Sequence, residues 1–145
     1  MTRFSEVAKR PVMSTDAART VGIVTGFVID PDSKRVIALR LTRTPASGDT
    51  LHWEDLTAFG PDAITVPSDA VIVAARGPAA ELRGNDADMM GKRLLTDAGT
   101  ELGTVVDVDF DPETGAVQYL ISADDRIAGS RLLGCGSYAV IVRAV

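Results

Sequence analysis

The sequence predicts an all-β protein of two tandem small β-barrels related by internal duplication. Two observations lead to this fold: one half of the sequence matches the other, and short stretches alternate apolar and polar residues between turn residues. The chain has 145 residues, which suffices for one ordinary domain or for two very small ones.

The internal match relates residues 10–41 to residues 91–122 without a gap. Nine of these 32 aligned pairs are identical. The match then resumes at an offset of 76 instead of 81, because the connection at 42–55 is five residues longer than the one at 123–131. Such self-similarity is typical of a repeated structural unit.

The duplication divides the chain into a first repeat at 1–75, a linker at 76–87 and a second repeat at 88–145. The linker is rich in Gly, Ala and charged residues. In the second repeat, residues 104–111 alternate Val or Phe with Asp, which predicts a half-buried strand. A Pro- and Gly-containing turn at 111–115 predicts that this strand continues into a hairpin.

Further short strands are predicted by β-branched residues between turn signals, at 11–14, 22–30, 35–42, 64–66, 71–74, 92–95, 116–122 and 138–143. A single helical turn is predicted at 68–70, and no window carries a helical apolar stripe. So small an all-β unit avoids exposed sheet edges best when it closes into a barrel.

The segments at 96–103, 105–110 and 111–117 resemble the PRC-barrel family, which is named from the photosynthetic reaction centre H subunit and shared with a ribosome-maturation factor. They carry a "D-x-x-G-x-x-x-G-x-V" stretch and a "D-x-x-T-G-x-V" hairpin. The first repeat departs from the pattern, with Ala18 and Lys34 at two glycine positions. The resemblance implies small β-barrels that act mostly as adaptors or assembly modules rather than as enzymes.

The composition disfavours several classes of function. With 15 basic and 20 acidic residues the formal charge is −5, which disfavours direct contact with nucleic acid. No apolar run approaches the roughly 20 residues of a membrane span, and no signal-peptide core is present, so a cytoplasmic protein without membrane insertion is expected. One cysteine excludes an intramolecular disulfide and a cysteine-built zinc site, and we expect no cofactor and no metal.

Two motifs suggest chemistry that their context does not favour. Residues 134–139 match G-x-G-x-x-A, but a dinucleotide site needs this loop to open a helix, and the following residues predict a strand. Cys135 within it is expected to be buried and inert, with a redox or small-ligand sensor as the alternative. Asp107, Asp109 and Asp111 could bind a cation, but a solvated acidic face is the favoured interpretation.

Four residues are candidates for an interaction surface. Val24 and Val28 lie on the presumed outer face of a strand that is apolar on both sides, so the other barrel, a second subunit or a partner must cover them. His52 and Trp53, the only His and Trp, lie on the longer connection. Trp53 is either a binding anchor or a lid folded onto the end of the barrel.

We therefore expect a non-enzymatic protein-interaction module that self-associates, most simply as a homodimer. Its partner is a protein whose identity the sequence does not give. One alternative is an accessory factor of the ribosome or of RNA processing that contacts ribosomal protein. The other alternative is the sensor that uses Cys135.

Overall fold

The structure is a computed structural model that describes residues 2–45, 48–82 and 89–145. Two short helices, α1 (Phe4–Val7) and α2 (Pro78–Glu81), accompany a mostly β fold, which confirms the predicted all-β class. The described strands are, in chain order, β1 (Thr2–Arg3), β2 (Pro11–Ser14), β3 (Arg19–Asp30), β4 (Arg35–Thr42), β5 (Thr50–His52), β6 (Ala58–Phe59), β7 (Ile64–Val66), β8 (Ile72–Val73), β9 (Arg93–Thr96), β10 (Glu101–Thr104), β11 (Asp107–Phe110), β12 (Val117–Ile121), β13 (Arg126–Ala128), β14 (Leu132–Cys135) and β15 (Ala139–Val142).

The predicted strands at 11–14, 35–42 and 64–66 are confirmed residue for residue. The predicted helical turn is a 3-10 turn, Asp69–Val71, whose first free N–H group is capped by the Ser68 side chain. None of the helices in the described part of the chain is both long and apolar enough to cross a membrane.

The strands form three sheets. The first half of the chain builds a seven-stranded sheet in the order β6-β7-β2-β3-β4-β5-β8. The second half contributes to two four-stranded sheets, β10-β9-β15-β14 and β1-β11-β12-β13. In the first half β3 runs unbroken for 12 residues, whereas its sequence counterpart is divided into β10 and β11.

The strand pairings of the two halves correspond. Parallel pairing occurs between β2 and β7 in one half and between β9 and β15 in the other. The hairpins match in register, because Ile29 faces Val36 and Phe110 faces Val117, each 81 positions later. Two strands, β1 and β8, have no counterpart among the described strands of the second half; β1 pairs with β11, and β8 pairs with β5.

One continuous cluster of buried apolar residues runs through both halves. This differs from the two separate cores that two independent barrels would have. At its centre Phe4 stacks on Phe27 with ring centroids 3.7 Å apart, and Phe110 meets Phe4 edge-on at 5.4 Å. The two halves therefore share their largest buried contacts.

The acidic strand β11 is covered by the N-terminal segment (residues 2–7), so the expectation of a solvated acidic face is wrong. Asp107 and Asp109 are only 8% and 4% exposed. Asp107 accepts hydrogen bonds from the Ser5 hydroxyl and, at 3.2 Å, from the Ser5 backbone N–H. Asp109 forms an ion pair with Arg3 at 3.1 Å. Strand alternation identifies one face of a strand but not the distant segment that covers it.

Two further residues of this region also differ from expectation. Val106, predicted to point inward, is 50% exposed; it lies between β10 and β11, where the chain passes from one four-stranded sheet to the other. Asp111 accepts a hydrogen bond from the Glu113 N–H at 2.8 Å and so organises the hairpin turn. Among the described residues, no three His, Cys, Asp or Glu side chains lie close enough together to hold a metal ion.

Candidate functional site

The two halves meet along their central hairpins. The Val36 N–H donates to the Gly115 carbonyl at 2.8 Å, and the Val117 N–H donates to the Lys34 carbonyl at 2.9 Å. These two bonds are equivalent, since each residue lies 81 positions from its counterpart. Arg35 forms an antiparallel bridge with Ala116, which is its own counterpart. The junction therefore joins residues that are equivalent in the internal match, so the surfaces beside it can be compared position by position.

A cavity of about 500 Å³ lies on the side of the first half, and we name it the His–Trp cavity. It lies between the edge of β4 and β5 and the segment that leads into α2. Its lining residues are Arg35, Val36, Ile37, His52, Trp53, Glu54, Arg76, Gly77, Pro78 and Ala79.

A counterpart cavity of about 420 Å³ lies in the second half. Its lining residues are Ser33, Lys34, Ala116, Val117, Gln118, Tyr119, Ala128 and Ser130. At the offsets of the internal match, Ala116 replaces Arg35, Ala128 replaces His52, and Ser130 replaces Glu54. The side chains that can bind a ligand through charge or a ring N–H are therefore concentrated in the His–Trp cavity.

His52 lies on the outer face of the seven-stranded sheet, in one cross-strand row with Ala38 and Val28. It is 6% exposed, and its Nε2 accepts a hydrogen bond of 3.3 Å from the backbone N–H of Arg76. An accepting Nε2 places the proton of the neutral ring on Nδ1. This Nδ1–H is buried and has no partner among the described residues.

Trp53 begins a 3-10 turn, Trp53–Asp55, that directly follows β5. Its ring stacks on Phe59 with centroids 5.6 Å apart and meets Phe110 edge-on at 6.2 Å. It is partly buried and lines both the His–Trp cavity and a second cavity beside Phe59. The ring thus packs onto the core, as a lid does, and also borders two cavities.

Two arginines stand at the mouth of the His–Trp cavity. Arg76 forms ion pairs with Asp55 at 3.1 Å and with Glu54 at 3.4 Å. Arg35 donates from Nε to the Thr114 carbonyl at 3.1 Å, and within the described residues no carboxylate pairs with it. The Arg35 guanidinium therefore keeps its terminal nitrogens available for a ligand.

Neither arginine was predicted from the sequence as a candidate binding residue. Arg35 could have been found by comparing the repeats, since its counterpart is the small residue Ala116. Arg76 was assigned to the linker, and nothing in the sequence indicates that its backbone N–H bonds His52.

Val24 and Val28 are not available as a docking face. Val24 is 0% exposed and belongs to the main core. Val28 is 1% exposed and packs with Ala38 and with Ala79 of α2. The cover expected for this strand is thus supplied by part of the predicted linker, of which residues 83–87 lie outside the described residues.

The glycine motif around Cys135 lies in the hairpin between β14 and β15, so no helix N-terminus faces it. Cys135 is partly exposed rather than buried. The Nζ atom of Lys92 lies 3.9 Å from its sulfur. Cys135 and the His–Trp cavity belong to different halves of the chain.

No curated protein matches this chain. The PRC-barrel domain family model matches residues 85–140, which include strands β9 to β14. This part of the chain also carries the two motifs on which the family resemblance depends. A single PRC-barrel domain is therefore found in the second half of the chain.

Proposed function

We propose that this chain is a non-enzymatic protein-interaction module of tandem PRC-barrel type, and that its partner docks at the His–Trp cavity. The match of the second half to the PRC-barrel domain supports an interaction or adaptor role. An acidic net charge of −5 supports a role without direct contact with nucleic acid, and we place the protein in the cytoplasm.

Internal duplication explains the first half, which the family model does not reach. The nine identities, the matching hairpin registers and the junction at Arg35 and Ala116 all support one ancestral barrel that was doubled. After such a doubling, the two copies are free to diverge, and one can acquire a binding role while the other keeps the family pattern.

The observation that carries the docking role is the difference between the two cavities. Three cavity positions hold Arg35, His52 and Glu54 in the first half. The equivalent positions of the second half hold Ala116, Ala128 and Ser130. The central strands have the same order in both halves there, so the two cavities differ in their side chains and in the segment 76–79, which lines only the His–Trp cavity. Arg and aromatic residues at such positions are typical of interface hot spots.

Binding fits the cavity better than catalysis does. None of the described residues that line it is Ser, Thr, Cys or Lys, so a hydroxyl, thiol or amine nucleophile beside His52 is missing there. The Nε2 atom of His52 is already engaged by the backbone of Arg76. A general base needs such a nitrogen free to take a proton.

Affinity capture from the native host with two charge variants tests the docking role. We expect Arg35→Glu to lose the bound partner at least tenfold, because it places a carboxylate at the mouth of the cavity. Ser130→Glu is the control, since it places the same carboxylate group at the counterpart cavity and should retain the partner. Equal capture by Arg35→Glu and the unchanged protein would contradict the proposal.

We also propose that the module self-associates as a homodimer. Leu133 and Tyr138 of the β14–β15 hairpin are 45% and 88% exposed, which supports an apolar contact between copies. Size-exclusion chromatography with light scattering should give twice the 15.3 kDa of one chain. Leu133→Glu should return the mass to one chain, while Ala74→Glu, an exposed change in the first half, should not. A single-chain mass at every concentration would exclude the dimer.

A further inference from the structure

We propose that the His–Trp cavity binds the C-terminal residue of a partner protein, with the terminal carboxylate at Arg35 and His52 and an apolar side chain on the cavity floor. This inference rests on the proposed docking role of the cavity and adds the chemistry of what docks. It follows from an unpaired cation, an unpartnered buried donor and an apolar floor that lie together.

The cation is Arg35. Its Nε is held by the Thr114 carbonyl, which fixes the position of the guanidinium at the mouth of the cavity. The terminal nitrogens of a guanidinium match the two oxygens of a carboxylate, and this pairing is stronger than a bond between neutral groups. The neighbouring Arg76 is already matched by Glu54 and Asp55. The charges of Arg35, Arg76, Glu54 and Asp55 sum to zero, but Arg35 is the arginine of this group that no carboxylate of the described residues contacts.

The unpartnered donor is the Nδ1–H of His52, which is an independent indication of a ligand. A buried N–H without an acceptor is unfavourable, and most such groups in folded proteins have a partner. His52 lines the cavity, and we assign an oxygen of the proposed carboxylate as the acceptor for this N–H. The bond from the Arg76 N–H to Nε2, at 3.3 Å, holds the other side of the ring.

The apolar floor consists of Val36, Ile37, Pro78 and Ala79, with the Trp53 ring at one side. A volume of about 500 Å³ is within the usual range for small-ligand pockets. In a C-terminal residue the carboxylate and the apolar side chain leave the same carbon atom. Both can therefore enter one small cavity, whereas the carboxylate of Asp or Glu brings a polar backbone onto the floor.

The only Trp of the protein lines the cavity, so its fluorescence reports occupancy without a label. The probes are acetyl-Gly-Gly-X peptides in which X is Val, Leu, Ile or Phe, each as the free acid and as the C-terminal amide. We expect at least one acid to bind saturably and at least tenfold more tightly than its amide. Arg35→Gln should lower that affinity at least tenfold, while Ser130→Ala, at the counterpart cavity, should leave it unchanged.

A free acid with the same apolar group, 4-methylpentanoate, distinguishes a chain end from a small metabolite. Binding of 4-methylpentanoate as tight as that of the Leu peptide would overturn the assignment to a protein terminus. Equal affinity of acid and amide, or no saturable binding of any of the four acids, would overturn the carboxylate site. The comparison of acid with amide uses the unchanged protein, so it does not depend on the folding of a variant.

The docking role and this inference can fail separately. If capture from the host depends on Arg35 while no peptide acid binds, the cavity docks a partner by other chemistry. If a peptide acid binds as expected while capture ignores Arg35→Glu, the cavity takes carboxylates but is not the docking site.

Discussion

We expect Phe110→Ala to lower the free energy of unfolding by about 3–5 kcal/mol, the usual range for removing a buried aromatic ring. Phe110 is 0% exposed. Its ring lies 5.4 Å from that of Phe4, 5.5 Å from Phe59 and 6.2 Å from Trp53. The substitution therefore leaves a cavity where the N-terminal segment and both halves meet. Equilibrium unfolding in urea, followed by the fluorescence of the single Trp and by circular dichroism, measures the change.

Tyr138→Ala is the matched control, because this ring is 88% exposed and its removal should change the unfolding free energy by less than about 0.5 kcal/mol. The shared core also predicts one transition for the whole chain, with both probes giving the same midpoint. Two separate transitions, or a loss below about 1 kcal/mol in Phe110→Ala, would contradict the packing described above.

The second large effect is expected for Gly129→Ala. A Cβ atom at this position would lie 2.0 Å from the Val117 carbonyl oxygen and 2.6 Å from its carbonyl carbon. These are backbone atoms of β12, and they cannot move aside as the end of a side chain can. We expect a loss of roughly 3 kcal/mol or more, at the upper end of overpacking effects, measured by the same urea titration.

Gly134→Ala is the control for this substitution. No atom lies within 4 Å of a Cβ at Gly134, so its stability should change by about 1 kcal/mol or less. An equal loss of unfolding free energy in both glycine variants would contradict this explanation. The loss would then come from the backbone flexibility of glycine and not from the close approach of Val117. At the offset of the internal match Gly129 stands where the first half has Trp53, so the counterpart of the tryptophan is a position with no room for a side chain.

Local sequence patterns predicted several strands correctly. They did not predict burial that depends on residues far away in the sequence. The strands at 11–14 and 35–42 were predicted with their correct ends, because β-branched residues and turn signals define them within a few positions. The burial of Asp109 could not be predicted in this way. Its partner Arg3 lies 106 positions earlier, and nothing in the acidic strand itself indicates that a segment will cover it.

The candidate site was predicted in part for the same reason. His52 and Trp53 attracted attention as single residues of their type on the longer connection, and both line the His–Trp cavity. Val28 was correctly recognised as needing a cover, but apolarity does not say which segment supplies it. Ala79 and Arg76 reach this region only because the chain turns into α2. The composition of the segment is typical of a linker and does not indicate this turn.

The N-terminal segment has a consequence for how the chain is made. Translation produces Phe4 and Ser5 before the carboxylate that holds Ser5, which comes 102 residues later. Until β11 has left the ribosome, the nascent first half keeps an apolar ring without its final contacts. The folding of the first half is therefore completed only after β11 has been synthesised.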